Sequence, residues 1–472
     1  MDHDEFRRLG HRVIDWIADY RERMATLPVM SPAKPGEVRS RFPAAPPARG
    51  GGVPAALAAL DRDLLPGITH WNHPSFFAYF PANASYASVL GDLLCAGLGA
   101  QGMSWQTSPA ATELEEVVME WLRQIVGLPA AFQGVVQDTA STSTLCALIC
   151  ARERATGLAQ RHRGLQSGAP ALTVYASDQA HSSVEKAALL AGFGRDHLRL
   201  VGTDAQHALR LDLLEKEIEK DVAAGRRPCA LVATVGTTAT TALDPVAGMA
   251  ALAERHGAWL HVDAALAGMA MALPECRWMW DGVERADSLV WNPHKWMGVG
   301  FDFSAYHVRD PELLTSVMST SPAYLRTARD GEVRNLRDWG IPLGRRFRAL
   351  KAWLHLLDEG VEGLQARLRR DLDNARWLAD QVDAARDWDR LAPVPLQTVC
   401  LRHIPTDQRD EKRLTAHNLA IAERVNRSGK AYLTPSVLKG KQVIRVSVGA
   451  EATGRAEVEA LWKMLKAAAR AV

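Results

Sequence analysis

An α/β fold built on a mostly parallel sheet is what this sequence predicts, and three observations carry the prediction. First, six short runs (171–176, 198–201, 229–234, 259–262, 288–291 and 303–308) are predominantly apolar, without the strict polar alternation of a half-exposed strand. Strands of that kind are buried on both faces, as in a parallel sheet covered by helices. Second, helical patterns separate several of the runs, at 184–190, 211–222 and 246–256. Third, the pattern changes beyond residue 343. Long amphipathic helices there enclose strands at 398–402 and 443–448 and end in a helix over 456–471, which predicts a small α+β domain.

The elements follow in order. Phe6, Leu9, Val13, Trp16, Ile17 and Tyr20 recur at three- and four-residue spacing and predict an N-terminal helix, whose apolar stripe needs a partner surface. The Pro/Gly/Ala-rich stretch from Pro28 to Pro54 predicts an irregular wrapping connection. Ser108-Pro109 caps a helix with proline in its first turn. Leu114, Val117, Val118, Trp121, Leu122 and Ile125 form its expected buried face, with Glu113, Glu115 and Glu116 near its positive end. From Ser319 to Asp338 the apolar pattern lapses. That segment is polar, broken by Pro322 and Gly331, and carries four arginines around an isolated Tyr324, as a functional lid or a disordered loop would. The expected organisation is a helical segment over 1–84, a large domain over 85–345 and a small α+β domain over 346–472.

The bulk properties exclude several classes. A chain of 472 residues, 47% apolar and 23% charged, has the makeup of a globular protein of about three subdomains. A net charge of +2 gives no footprint for nucleic acid or an acidic membrane. No apolar run reaches the roughly 18 residues that span a bilayer. The opening Met1-Asp2-His3-Asp4-Glu5 is acidic and has no apolar signal core. The six cysteines are scattered. Cys146 and Cys150 lie one helical turn apart, but no ligand cluster completes a metal site, so free buried thiols and no metal are expected. Together these features predict a cytoplasmic location.

Two residues carry the chemistry. The run at 259–262 ends in Asp263, and the run at 288–291 leads through Asn292-Pro293-His294 to Lys295. Ligands of such sheets bind at the carboxyl ends of the strands. A carboxylate and an amine on neighbouring strand ends suit pyridoxal phosphate: the amine forms a Schiff base with the cofactor aldehyde, and the carboxylate keeps the pyridine nitrogen protonated. Asp138-Thr139-Ala140-Ser141-Thr142-Ser143-Thr144 precedes a helix expected from about Leu145. It offers amides and hydroxyls to a phosphate, or serves as a plain helix cap. Gly236-Thr237-Thr238 brings a further hydroxyl to a strand end, or is a common turn. His181, in Ala180-His181-Ser182-Ser183, either lies flat on the cofactor ring or is a structural helix-start histidine. His294 is open to the same two readings, and His261 shares a strand face with Asp263 without an assigned role.

These pieces together resemble the group II pyridoxal-phosphate decarboxylases, and the aromatic-L-amino-acid decarboxylases in particular, including bacterial members that act on L-DOPA. The resemblance runs nearly the whole chain. Its most specific stretches are Phe77-Ala78-Tyr79-Phe80-Pro81, Ser108 to Glu115, Asp178 to Ser183, Asn292-Pro293-His294-Lys295 and Pro342 to Arg348. It implies the aspartate-aminotransferase-like fold (fold type I) and a homodimer with shared active sites, the segment 1–84 packing on the partner. It also implies that Lys295 bonds the cofactor, Asp263 pairs with its ring nitrogen, His181 stacks on the ring, and Ala140, Ser141, Thr238, Asn292 and His294 complete the site. Positions matching Trp71, Tyr79, Phe80 and Pro81 hold the aromatic substrate in this family, with Gln101 and Met103 reaching in from the other subunit. Ala82 stands where the animal enzymes have a threonine that contacts substrate. Gln101 and Met103 replace a branched aliphatic and an aromatic residue.

The expected reaction is loss of the α-carboxylate from an aromatic L-amino acid such as L-DOPA, 5-hydroxytryptophan or tryptophan, giving the amine and CO2. Breaking that bond requires the carboxylate to stand perpendicular to the cofactor plane, and an acid must then protonate the carbon left behind. Tyr324 fits that acid, arriving as its loop closes. An aldehyde synthase running oxidative decarboxylation–deamination is the nearest alternative. Close relatives of that kind replace the loop tyrosine or the stacking histidine, and this chain keeps both. A decarboxylase for another amino acid, such as histidine, is a further alternative. A non-catalytic scaffold is disfavoured by the retention of Lys295 and Asp263.

Overall fold

The computed structural model describes residues 1–166, 170–320 and 329–472. Its helices are α1 (His3–Arg23), α2 (Gly52–Ala59), α3 (Tyr86–Leu98), α4 (Pro109–Ile125), α5 (Ala140–Thr156), α6 (Ala159–Arg163), α7 (Ser182–Leu190), α8 (Leu211–Ala223), α9 (Val246–His256), α10 (Pro311–Met318), α11 (Ala349–Ala384), α12 (Glu411–Arg427) and α13 (Arg455–Arg470). The strands are β1 (Gln133–Gln137), β2 (Leu172–Ser177), β3 (Leu198–Val201), β4 (Arg227–Thr234), β5 (Trp259–Asp263), β6 (Ser288–Trp291), β7 (Ser304–Val308), β8 (Trp388–Arg390), β9 (Thr398–His403), β10 (Thr434–Leu438) and β11 (Lys441–Ser447). Two compact units result, one from 82–376 with 392–400, the other from 1–81, 377–391 and 401–472. The units group residues 346–376 with the large sheet and the N-terminal segment with the C-terminal one, a division that boundaries drawn along the chain do not anticipate.

In the first unit seven strands run in the order β1-β7-β6-β5-β4-β2-β3. The pairs β6–β5, β5–β4, β4–β2 and β2–β3 are parallel, as expected from their predominantly apolar runs. The run at 303–308 departs from that expectation: β7 is antiparallel to both neighbours, which makes β1 parallel to the rest. Strand β1 was not legible in the sequence, because Gln133-Gly134-Val135-Val136-Gln137 is short and holds only two apolar residues. Helix α5 lies on the sheet through Cys146, Ala147, Cys150 and Ala151, small side chains that let backbone approach backbone. All six cysteines are free and buried.

Two local expectations need correction. Helix α5 begins at Ala140 rather than near Leu145, with Thr139 as N-cap, so the Ser/Thr run forms its first turn instead of preceding it. Serine and threonine compete with the backbone for hydrogen bonds, which hides such a helix start. Helix α4 does carry the Ser108 cap, its side chain accepting from Ala111 N–H at 3.3 Å. Its buried face, however, is Ala111, Thr112, Glu115, Val118, Met119 and Leu122, while Val117 is exposed. The face is turned because Glu115 points inward. Its Oε1 accepts from Val136 N–H (2.9 Å) and from Arg345 Nη2 (2.7 Å), and the same guanidinium donates to Val136 O (2.6 Å). Breaking a buried pair by removing one partner costs about 3–5 kcal/mol. Glu115→Ala is expected to lower unfolding free energy by that order in urea titration, and a loss under about 1 kcal/mol would contradict this reading of the pair.

The second unit contains α1 and most of a four-stranded sheet ordered β10-β11-β9-β8. Strands β8 and β10 were not foreseen; β8 is only three residues long, and β10 includes Pro435. Of the 21 residues of α1 only Leu9 is buried. Among the described residues no helix is long and apolar enough to cross a membrane.

Candidate active site

The parallel strands place four predicted residues along one edge of the large sheet. Asp263 is the last residue of β5, Lys295 follows β6, Thr238 follows β4, and His181 follows β2 as the N-cap of α7. Since β6, β5, β4 and β2 are consecutive neighbours, all four lie at adjacent carboxyl ends. The start of α5 follows β1 at the same edge.

Asp263 is buried, and its Oδ1 accepts from Ala265 N–H at 3.1 Å. Behind it His261 is wholly buried. Its Nδ1 lies 2.8 Å from Ser288 Oγ and its Nε2 3.3 Å from Thr144 Oγ1, and burial pushes its pKa down to about 4. It is a neutral structural link between β5, β6 and α5. Gly236, at φ +87°, turns the chain after β4 so closely over Ala267 that a Cβ there would sit 2.7 Å from that alanine's own. The turn leaves Thr238 exposed, while Thr237 is buried, its Oγ1 accepting from Ala242 N–H at 3.0 Å.

His181 Nδ1 accepts from Ser183 N–H (3.2 Å) and pairs with Ser183 Oγ (2.8 Å), which leaves the proton of the neutral ring on Nε2. Desolvation lowers its pKa, Asp263 opposes that, and the Lys295 amine adds to it, so the three groups stand within electrostatic reach of one another. Asn292 ties the exits of two strands together: its N–H donates to Ala265 O (2.9 Å) and its Oδ1 accepts from Ser304 Oγ (2.7 Å). His294 Nδ1 accepts from Phe303 N–H (3.0 Å), and burial, then Lys295, push its pKa down to about 3. Both histidines flanking the lysine are therefore neutral at pH 7.

The donor set suits pyridoxal phosphate. The Thr139 N-cap of α5 makes no side-chain cap hydrogen bond, and the adjoining Ser141 is exposed, so a helix start with its positive dipole end is open to an anion. A buried carboxylate and a half-buried lysine stand at the neighbouring strand ends.

The remaining expected residues fall into separate groups. Trp71, Tyr79, Phe80 and Pro81 belong to the second unit. Trp71 stacks on Tyr79 with centroids 5.4 Å apart, and the Arg445 guanidinium lies 4.6 Å over Phe80 while also donating to Tyr79 O. Tyr432 closes the cluster edge-on to Tyr79, hydroxyls 3.4 Å apart. Tyr432 and Arg445 were not foreseen; they lie more than 350 positions along the chain from Tyr79. Ala82 opens the first unit. Gln101 Oε1 accepts from Arg345 N–H (2.7 Å), and Met103 O accepts from Arg337 N–H (2.8 Å), pinning that loop within its own chain. Tyr324 and Arg326 lie outside the described residues.

Fold and strand-end chemistry define a pyridoxal-phosphate enzyme of fold type I, and comparison with known proteins gives the family. Residues 35–404 match the model of the pyridoxal-dependent decarboxylase conserved domain. The chain is 39% identical to tryptophan decarboxylase TDC2 of Camptotheca acuminata, over 100% of this chain and 96% of that protein. It is equally 39% identical to phenylacetaldehyde synthase of Arabidopsis thaliana, over 99% and 96%. The crystal structure of Oryza sativa TDC with PLP and tryptamine superposes with a TM-score of 0.96 at 36% identity, covering 100% of this chain and 98% of that one. The chain belongs to the pyridoxal-dependent decarboxylase family, as its motifs led us to expect.

Proposed function

We propose that this protein removes the carboxylate of an aromatic L-amino acid, releasing the amine and CO2. The observation that carries the reading is the meeting of Lys295, Asp263 and neutral His181 at adjacent strand ends. When bound, pyridoxal phosphate supplies the electron sink for the bond that breaks. In this reading Lys295 holds the cofactor covalently and Asp263 keeps a proton on its ring nitrogen. His181 packs its uncharged imidazole against the ring face. The amides of Ala140 and Ser141 and the hydroxyls of Ser141 and Thr238 receive the phosphate, and Asn292 and His294 complete the wall. Trp71, Tyr79, Phe80, Pro81 and Ala82 receive the aromatic side chain. Tyr324 delivers a proton to the α-carbon once CO2 has left.

The identity to an aldehyde synthase equals that to a tryptophan decarboxylase, so overall similarity does not choose between amine and aldehyde. The presence of both Tyr324 and His181 supports the amine. The test is product analysis with purified holoenzyme on L-DOPA, 5-hydroxytryptophan, tryptophan, tyrosine, phenylalanine and histidine. Amine and CO2 in equal amounts are expected from at least one aromatic substrate; aldehyde with ammonia and peroxide, or turnover of histidine alone, would overturn the reading.

A homodimer is part of the proposal, with residues 1–84 packing on the second subunit and Gln101 and Met103 reaching its substrate. Supporting it, α3 exposes Tyr86, Leu90, Leu93, Leu94 and Leu98 on one stripe, and α1 exposes Phe6 and leaves Val13, Trp16, Ile17 and Tyr20 only partly buried. Exposed apolar stripes of that extent mark interaction surfaces. Sedimentation at assay concentration is expected to give a dimer, and a fully active monomer would contradict this. The six buried free thiols support a reducing, cytoplasmic setting.

A further inference from the structure

The turn that carries Lys295 is clamped from a helix some seventy residues further along the chain. Pro293–Met297 is a single π-helical turn, closed by Gly298 N–H on Pro293 O. Such turns are uncommon and are found frequently at functional sites. The last three carbonyls of this turn are each held from outside it. Lys295 O accepts from Asn83 Nδ2 at 3.2 Å. Trp296 O accepts from Arg367 Nη1 at 2.8 Å, and Met297 O accepts from Arg367 Nη2 and from His355 Nε2, the latter at 2.9 Å. The Trp296 indole Nε1–H donates to Asp371 Oδ2 at 2.9 Å.

His355 lies in α11 before its break at Gly360 (φ +66°), Arg367 and Asp371 lie beyond it, and all three are buried. Gly298, at φ +102°, lets them come this close: a Cβ there would meet the His355 ring at 3.1 Å and the Arg367 guanidinium at 3.4 Å. Glu359 Oε1 accepts from Arg367 Nε at 2.8 Å and balances the buried charge. A guanidinium in that position fixes two successive peptide planes at once, which the single ammonium of a lysine cannot do. The plane that follows the Lys295 Cα directly is held by Asn83, and the two planes after it, held by Arg367, fix the rest of the single turn on which Lys295 sits.

We propose that Arg367 is a positioning residue for Lys295, fixing through the carbonyls of Trp296 and Met297 the line along which the amine meets the cofactor, with the Asp371–Trp296 bond as its second anchor. The proposal rests on Lys295 being the attachment residue. Its test uses holoenzyme of wild type, Arg367→Gln, Arg367→Lys and Trp296→Phe, the last of which removes the indole N–H and keeps a ring. Four quantities are read: the pH midpoint of the cofactor's visible absorbance, kcat, KM and the thermal midpoint. Misplacement by about 1 Å can cost on the order of 10²-fold in rate, so Arg367→Gln is expected to lose between about tenfold and that much in kcat. Its absorbance midpoint should move, its KM should stay near wild type, and Arg367→Lys should recover part of the loss. Wild-type kcat and absorbance midpoint in Arg367→Gln, with any change confined to thermal stability, would overturn the proposal. If Arg367→Gln does not fold, Trp296→Phe decides: a moved midpoint with lowered kcat supports the clamp, and wild-type values of both overturn it. Borohydride labelling of the wild type at a lysine other than Lys295 would instead refute the attachment reading itself.

Discussion

Lys295→Ala is expected to abolish amine production while leaving the fold in place. The substitution removes the covalent anchor and, with it, an amine able to move protons at the reacting carbon, a role typically worth about 10²–10⁴-fold by itself. A fall of at least about 10³-fold is therefore expected. The fold should survive because the backbone contacts of the turn do not depend on the side chain: the backbone N–H still donates to Asn292 O, the backbone O still accepts from Asn83, and the clamp from α11 engages residues 296 and 297. Circular dichroism should match wild type, the thermal midpoint should match that of cofactor-free wild type, and cofactor should bind weakly and without resistance to dialysis. Wild-type-like turnover by this variant would end the assignment of the lysine.

Tyr324→Phe should change the product more than the fold. Removing one hydroxyl leaves the aromatic ring, so substrate affinity should alter little. Loss of CO2 should still occur, but the carbon left behind waits for its proton, and dioxygen can intercept it. Amine formation is expected to fall by about 10²–10⁴-fold, the usual contribution of general acid catalysis, while aldehyde, ammonia and peroxide rise. The amine-to-aldehyde ratio under air, for mutant and wild type, is the readout. Amine at the normal rate with no aldehyde would make Tyr324 a bystander and leave neutral His181, with its proton on Nε2, as the group to test next.

The placement of the candidate residues was legible because they sit at strand ends. The runs 198–201 and 288–291 match β3 and β6 residue for residue, and β5 differs from expectation only by including Asp263 itself. Once those strands are parallel neighbours, the carboxylate and the amine must meet at one edge. What sequence did not reveal depends on contacts between distant segments. Helix α4 turned its face because Glu115 found Arg345, and charge read along a helix suggests solvent rather than a buried pair. Likewise Arg367 and Asp371 belong to a stretch dense in arginine and aspartate, Arg367 to Arg376, that reads as a solvated helix face. Tyr432 and Arg445 gather around Tyr79 through the pairing of segments at opposite ends of the chain, for which periodicity gives no signal. The start of α5 was hidden by the serines and threonines of its first turn.

In the proposed reaction Lys295, at the exit of β6 beside Asp263, is the residue that holds the cofactor. The most direct measurement is borohydride reduction of the holoenzyme followed by proteolysis and mass mapping of the pyridoxyl group. The label is expected on Lys295 in stoichiometric amount and is expected to be absent from Lys295→Ala. A label on Lys351, the fully buried lysine whose Nζ lies 3.2 Å from Asp92 Oδ2, or on any other lysine, would contradict it.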